Sequence, residues 1–283
     1  MKRRGWYERP QISRINLDWV KTNCKITKRE MELLKIIRDR KLVRRDHLEI
    51  ISPSYRFIEK NRTKILNKSI SKLFVKHCID KIHEEREFGR GGNNPCIVAL
   101  DRGGSLLLGI PHRKRIIHHN NGKYIKRYLP SNYRHINGVN SVEVQTIIFC
   151  EETGNEIIGW HHEKPQELFY GQEKIVLIPD VGVTLKINQK PFYAFLEYDT
   201  GTEDFRYSKS FPTIYEKLVK YKKWKMSKLW EKDYLYFPVL LFVTEDDKRV
   251  SYITDKCKEL ELEGWGIYYK NYKRFLERLA QLV

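Results

Sequence analysis

The sequence predicts a mixed α+β or α/β protein in two parts: a helical N-terminal part closed by a β-hairpin, and a C-terminal part built on a mixed sheet. Three observations carry that prediction. Apolar residues recur at helical spacing in three successive segments from Ile26 to Ile79, and two short strand-like runs follow them. Beyond Arg134, helical segments alternate with apolar and aromatic runs of strand length. The charge also changes there. Residues 1–134 hold 33 Lys and Arg against 13 Asp and Glu, whereas residues 135–283 hold 21 against 23. The net charge of +18 therefore comes from the N-terminal half, and such a block is an electrostatic footprint for a polyanion.

The first helix is expected in "ITKREMELLKIIRDRKLV", with Met31, Leu33, Leu34, Ile36 and Ile37 on one stripe. Thr27 and Glu30 have the spacing of a capping box. A turn and a short second helix, "RRDHLEIIS", come next. The third helix lies in "RFIEKNRTKILNKSISKLFVKHCI", with Ile65, Ile70, Leu73 and Phe74 as its apolar stripe. Arg62, Lys64, Asn67, Lys68, Ser71 and Lys72 occupy much of its remaining surface. "CIDKIHEEREF" and "PCIVALDRGGSLLLG" supply two strands around the glycine-rich turn "GRGGNN", the second running into a helix start.

Three helices followed by a hairpin is the order of a winged helix-turn-helix, expected here over residues 1–106. Its third helix enters the major groove of double-stranded DNA, so those six side chains are the expected DNA contacts. Arg90, in the wing tip, would reach the backbone or minor groove. Residues 107–133 read as a basic connector with "NNG" and "LPSN" as turn signals. The adjacent His118 and His119 are poorly spaced for a metal.

The third segment, residues 134–283, opens with a helix in "RHINGVNSVEVQTIIFCEETG", striped by Ile136, Val139, Val142, Ile147 and Ile148. "NEIIGWHHE" is a strand, and "KIVLIPDVGVTLKINQK" a second one ending in a turn around Asn188. "PFYAFLEYDTG" is a third. A helix in "SFPTIYEKLVKYKKWKM", the buried strand "LYFPVLLFVT", a helix in "EDDKRVSYITDKCKELEL", the strand "WGIYY" and a closing helix complete the order αβββαβαβα. In "YKKWKMSKLW" Tyr221, Trp224 and Trp230 alternate with lysines, which suits either core packing or stacking on bases.

Side chains alternate across a strand, so Glu197 and Asp199 point the same way. A hairpin would bring Asp180 beside them, and Glu143 and Glu163 would approach the same cleft. Converging carboxylates repel one another unless a cation neutralises them, and oxygen ligands of this kind suit Mg²⁺ or Mn²⁺. Such an ion can activate water and stabilise charge on a phosphodiester.

This order and these residues resemble the PD-(D/E)xK nuclease fold, also called restriction-endonuclease-like. Pro179-Asp180 stands as the PD, and Glu197-Tyr198-Asp199 as the second motif. The resemblance implies metal ligation by Asp180 and Glu197, with Glu143 as an acid from the opening helix. Asp199 stands where that pattern has its lysine, and Lys217 or Lys220 on the following helix would substitute. The layout from Lys25 onward, through "GWHHE", "IPDVGVTL", "FLEYDTGTE", "KLVKYKKW" and "FPVLLFVT", is similar to the replication-relaxation family of bacterial plasmids and integrated conjugative elements. That similarity implies a DNA-binding protein in replication or transfer of mobile elements.

Three functions stay open at this point: a binding protein with a degenerate nuclease-like body, a metal-dependent endonuclease or nickase, and a winged-helix transcriptional regulator. A homodimer is expected, since dimers suit repeated half-sites, with replication or conjugation proteins as further partners. No apolar run is long enough to span a membrane, and no apolar segment follows the basic N-terminus as in a secretory signal. Five scattered cysteines without a CxxC pair suit reduced thiols in the cytoplasm.

Overall fold

A computed structural model describes residues 9, 12, 14–83, 94–111, 116–120, 126–170, 173–201 and 213–282. Arg90, the expected wing-tip contact, lies outside the described residues. The chain divides into two compact units, residues 1–140 and 141–283.

In the first unit, α1 (Leu17–Asn23) starts at Asn16, whose side chain accepts Trp19 N at 2.8 Å. α2 (Lys28–Arg40) carries the expected capping box, in which Thr27 Oγ1 accepts Glu30 N and Glu30 Oε2 accepts Thr27 N. There follow β1 (Leu42–Arg44), α3 (Arg45–Ile51), α4 (Pro53–Arg56), α5 (Arg62–Val75), β2 (Ile79–His83), β3 (Cys96–Leu100) and α6 (Arg102–Leu107). The three strands form one antiparallel sheet in the order β1-β3-β2.

Strand β1 replaces the plain turn expected after α2. Three residues have no readable period, and only their pairing with Ala99, Val98 and Ile97 on β3 makes them a strand. Helix α5 turns Leu66, Ile70, Leu73 and Phe74 inward. Ile65, expected on that stripe, is half-buried, and Leu66 takes its place. β4 (His118–Asn120) and β5 (Lys126–Tyr128) pair as a small hairpin inside the expected connector. α7 (Tyr133–Thr153) crosses the division between the units. Its Tyr133 and Ile136 pack on a core of Leu42, Ile82, Ile97, Ala99 and Ile117.

In the second unit, β6 (Glu156–His162) is followed by β7 (Gln166–Tyr170), β8 (Glu173–Leu177), β9 (Val181–Ile187) and β10 (Lys190–Asp199). Then come α8 (Ile214–Ser227), β11 (Val239–Thr244), α9 (Lys248–Glu259), β12 (Gly264–Tyr268) and α10 (Tyr272–Leu282). Five strands form a mixed sheet in the order β12-β11-β10-β9-β6. β10, β11 and β12 run parallel, and β9 is antiparallel to both β10 and β6. The mixed α+β class is therefore the one the sequence predicts.

One strand is corrected. "KIVLIPDVGVTLKINQK" reads as continuous, yet β8 pairs with β7 in a separate two-stranded sheet and β9 starts afresh at Val181. Pro179 sits at the break, where it has no N–H to give to a ladder. Asp180 thus stands just before β9 and not within one continuous strand. α8 and α9 cover one sheet face, burying Phe195, Tyr221, Trp224, Leu240, Phe242 and Ile253 in a shared core. Tyr221 and Trp224 are therefore core residues, and Trp230 packs at the margin of the same cluster. All five cysteines are free and buried. No helix among the described residues is long and apolar enough to cross a membrane.

Candidate functional site

Two places gather the residues singled out in the sequence, one in each unit. In the second unit, the β9–β10 hairpin pairs Val181 with Leu196, so Asp180 meets the end of β10 as expected. Its Oδ2 accepts Tyr198 N at 2.8 Å, and its carbonyl accepts Glu163 N at 3.0 Å. Glu197 is buried at 2% exposure, facing α8. Its Oε1 accepts the Tyr221 hydroxyl at 2.6 Å, and its Oε2, buried without a hydrogen-bond donor, lies 3.6 Å from Lys217 Nζ.

Burial is the main force on this glutamate, raising its pKa to about 7, and the adjacent Asp180 charge pushes the same way. The Lys217 charge and the Tyr221 hydrogen bond act in the opposite direction. Asp180, Glu197, Lys217 and Tyr221 thus form one electrostatic unit. The α8 capping box, with Thr213 Oγ1 accepting Glu216 N and Glu216 Oε2 accepting Thr213 N, sets the helix that carries Lys217 and Tyr221.

Asp199 shares the Glu197 face but has different neighbours. It accepts Gly201 N at 2.9 Å, Thr244 Oγ1 at 2.9 Å, and Arg249 Nη1 through both oxygens at 3.1 Å. Arg249 Nη2 donates to Gly201 O at 2.8 Å, so α9 clamps the turn after β10. At the nuclease pattern's lysine position stands a buried, fully hydrogen-bonded carboxylate.

Glu143 is placed elsewhere. His162, Val181 and Leu196 are register partners and share one sheet face, the one opposite Glu197. Glu143 Oε2 lies 3.7 Å from His162 Nε2 on that face. Glu163 takes a left-handed backbone at φ 46° where β6 gives way to the next turn. Among the described residues, no group of three His, Cys, Asp or Glu side chains is placed to hold a metal ion.

In the first unit, α5 exposes Lys64, Asn67, Lys68 and Ser71, with Arg62 half-buried at its start. Arg62 Nε donates to Ile58 O at 3.2 Å. Lys72 differs from its neighbours: its amine pairs at 2.7 Å with buried Glu30, the capping glutamate of α2. Sequence reading missed Tyr221 as a partner of Glu197, and Arg249 altogether. Arg249 sits in "EDDKRVSY", at the start of the helix expected there. Only the Asp199 pairing distinguishes it.

A comparison with curated proteins finds no match. Among solved structures, the crystal structure of protein VC1899 from Vibrio cholerae is similar at 14% identity and a TM-score of 0.36. That match covers 95% of this chain, which spans 61% of the other protein's length. The replication-relaxation family profile matches residues 34–240, a stretch that includes α5, Asp180, Glu197 and Lys217. The chain therefore belongs to the replication-relaxation family.

Proposed function

We propose that this is a DNA-binding protein of a mobile element, such as a plasmid, conjugative element or phage, acting in DNA replication, relaxation or transfer. Its first unit is read as a winged helix-turn-helix on double-stranded DNA. The observation that carries this reading is the exposed face of α5, where Lys64, Asn67, Lys68 and Ser71 stand together within the basic half of the chain. The helix–strand–helix order before α5, the β2–β3 hairpin after it and the β1-β3-β2 sheet support the same reading. The second unit is read as a nuclease-like body that dimerises or recruits replication or conjugation proteins. The clamping of Asp199 by Arg249 favours that role over strand cleavage.

The test is binding of the full chain to duplex DNA across a salt series. Affinity should fall steeply with salt, because phosphate contacts release counterions. The double variant Lys64→Ala/Lys68→Ala should bind more weakly with a shallower slope. Equal binding by variant and wild type overturns the reading.

A second reading, a Mg²⁺- or Mn²⁺-dependent DNA endonuclease or nickase, is favoured by one contact: Lys217 Nζ reaches to 3.6 Å from Glu197 Oε2. The donor set suits such an ion. Asp180 and Glu197 offer two carboxylates, one with a buried oxygen free of donors, and Mg²⁺ commonly takes one or two carboxylates and keeps its waters. When bound, the ion would supply charge stabilisation at a phosphodiester. Lys217 would hold the Glu197 charge and Tyr221 its orientation. Incubation with supercoiled plasmid and either ion tests this. Nicking lost in Asp180→Ala and Glu197→Ala supports the enzyme, and intact plasmid under every condition removes it.

A further inference from the structure

Thr63, Asn67 and Ser71 follow one another at intervals of four on α5, so they form a single ridge about 12 Å long. A hollow lies on each side of it. One, of about 720 Å³, is lined by Arg62, Lys64 and Lys68 together with the three ridge residues. The other, of about 490 Å³, is lined by the same ridge and by residues from other elements: Arg45 at the start of α3, and Lys81 and His83 on β2. Among the described residues, no carboxylate lines either hollow.

The second hollow has the chemistry of a polyanion seat although its cations lie outside the basic face of α5. Arg45 is oriented by an ion pair with Glu49, one turn along α3. The Lys81 amine sits 4.7 Å from the centre of the Phe74 ring, which holds its stem against the core. Ser71 and Asn67 line the same space. Burial holds the His83 imidazole below its ordinary pKa, and Lys81 pushes it the same way, against a 3.3 Å contact with Asn94 O. His83 lines the same hollow two residues from Lys81 on β2.

We infer that Arg45 and Lys81 bind the phosphate strand on one wall of the DNA groove while Lys64 and Lys68 bind the strand on the other. The ridge of Thr63, Asn67 and Ser71 then reads the base edges between them. Rows of cations on both sides of a neutral hydrogen-bonding ridge match a groove about 12 Å wide with a phosphate chain on either side. Twelve ångströms of helix spans roughly three to four base pairs. Phosphate contacts set register and affinity, and base contacts set sequence preference, so the two groups have separable effects. This inference rests on the DNA-binding reading of the first unit.

The experiment uses the full chain. A preferred site is selected from random duplexes, and affinity for that site and for unrelated DNA is measured from low to moderate salt. Arg45→Gln/Lys81→Gln should weaken binding to both DNAs about equally, by about tenfold or more, and reduce the salt slope by about 1 for each residue. Arg45→Lys/Lys81→Arg should keep the slope, which separates lost charge from lost folding, and melting curves of both variants control for stability. Asn67→Ala should lower preference for the selected site about ten- to a hundredfold while leaving the slope unchanged. Loss of affinity in Lys64→Ala/Lys68→Ala with none in Arg45→Gln/Lys81→Gln overturns the second phosphate seat and leaves DNA binding intact. An unchanged preference in Asn67→Ala overturns the reading ridge. No salt-sensitive binding by the wild-type chain overturns the DNA reading itself, and this inference with it.

Discussion

Arg249 donates from one guanidinium nitrogen to both carboxylate oxygens of Asp199 at 3.1 Å, and both side chains are buried. The pair ties α9 to the end of β10, beside the candidate acidic site. It also occupies the position where the resemblance to nucleases implies a lysine.

Removing the cation should be costly. Arg249→Met leaves Asp199 charged and buried, which is expected to lower stability by about 3–5 kcal/mol. Adding Asp199→Leu to that variant removes the stranded charge and should recover part of the loss. Urea unfolding of the two single variants and the double variant measures this, and strict additivity would contradict the pairing.

Glu197 predicts a pH dependence. Its carboxyl is raised in the folded chain, so the folded state holds a proton that the unfolded state releases. Its stability contribution is complete below the ordinary carboxylate range and is lost as pH rises towards about 7. Glu197→Gln keeps a hydrogen-bond acceptor for Tyr221 and removes the titration. The fall in stability between pH 4 and pH 8 should shrink by about 1–3 kcal/mol in this variant. Denaturant midpoints across that range, with a chelator present, check the change.

Lys68 and Lys72 should separate cleanly. Lys72→Ala breaks the pair with Glu30 and is expected to lower stability by about 0.5–1 kcal/mol, since the lysine is partly exposed. Lys68→Ala should leave stability within about 0.5 kcal/mol and weaken DNA binding instead. Thermal melting alongside fluorescence anisotropy tests both.

Gly104 on α6 is closed to any side chain. A Cβ there would stand 2.2 Å from Cys78 O, a backbone atom just before β2. Gly104→Ala should therefore destabilise the first unit by at least about 2 kcal/mol, measured by chemical denaturation.

The helices were legible because their signals are local. Thr27 and Glu30 lie three residues apart, and both halves of their capping box form as the spacing predicts. The meeting of Asp180 with β10 was legible for a related reason: a short turn at Asn188 lets one hairpin bring them together. The break after Leu177 has one local mark, Pro179, but what separates β8 from β9 is the strand each pairs with, and no local pattern gives that.

By itself, then, the sequence determined the mixed class, most of the element order, the confinement of positive charge to the N-terminal half and the pairing of Asp180 with the Glu197 strand. The tertiary structure decided which side chains share a charge. It gave Asp199 to Arg249, Glu197 to Tyr221 and Lys217, Glu143 to His162, and Lys72 to Glu30. Element type follows from periods of two and 3.6 residues within a few turns of chain. The partner of a buried charge is set by which elements pack together, and no local pattern encodes it.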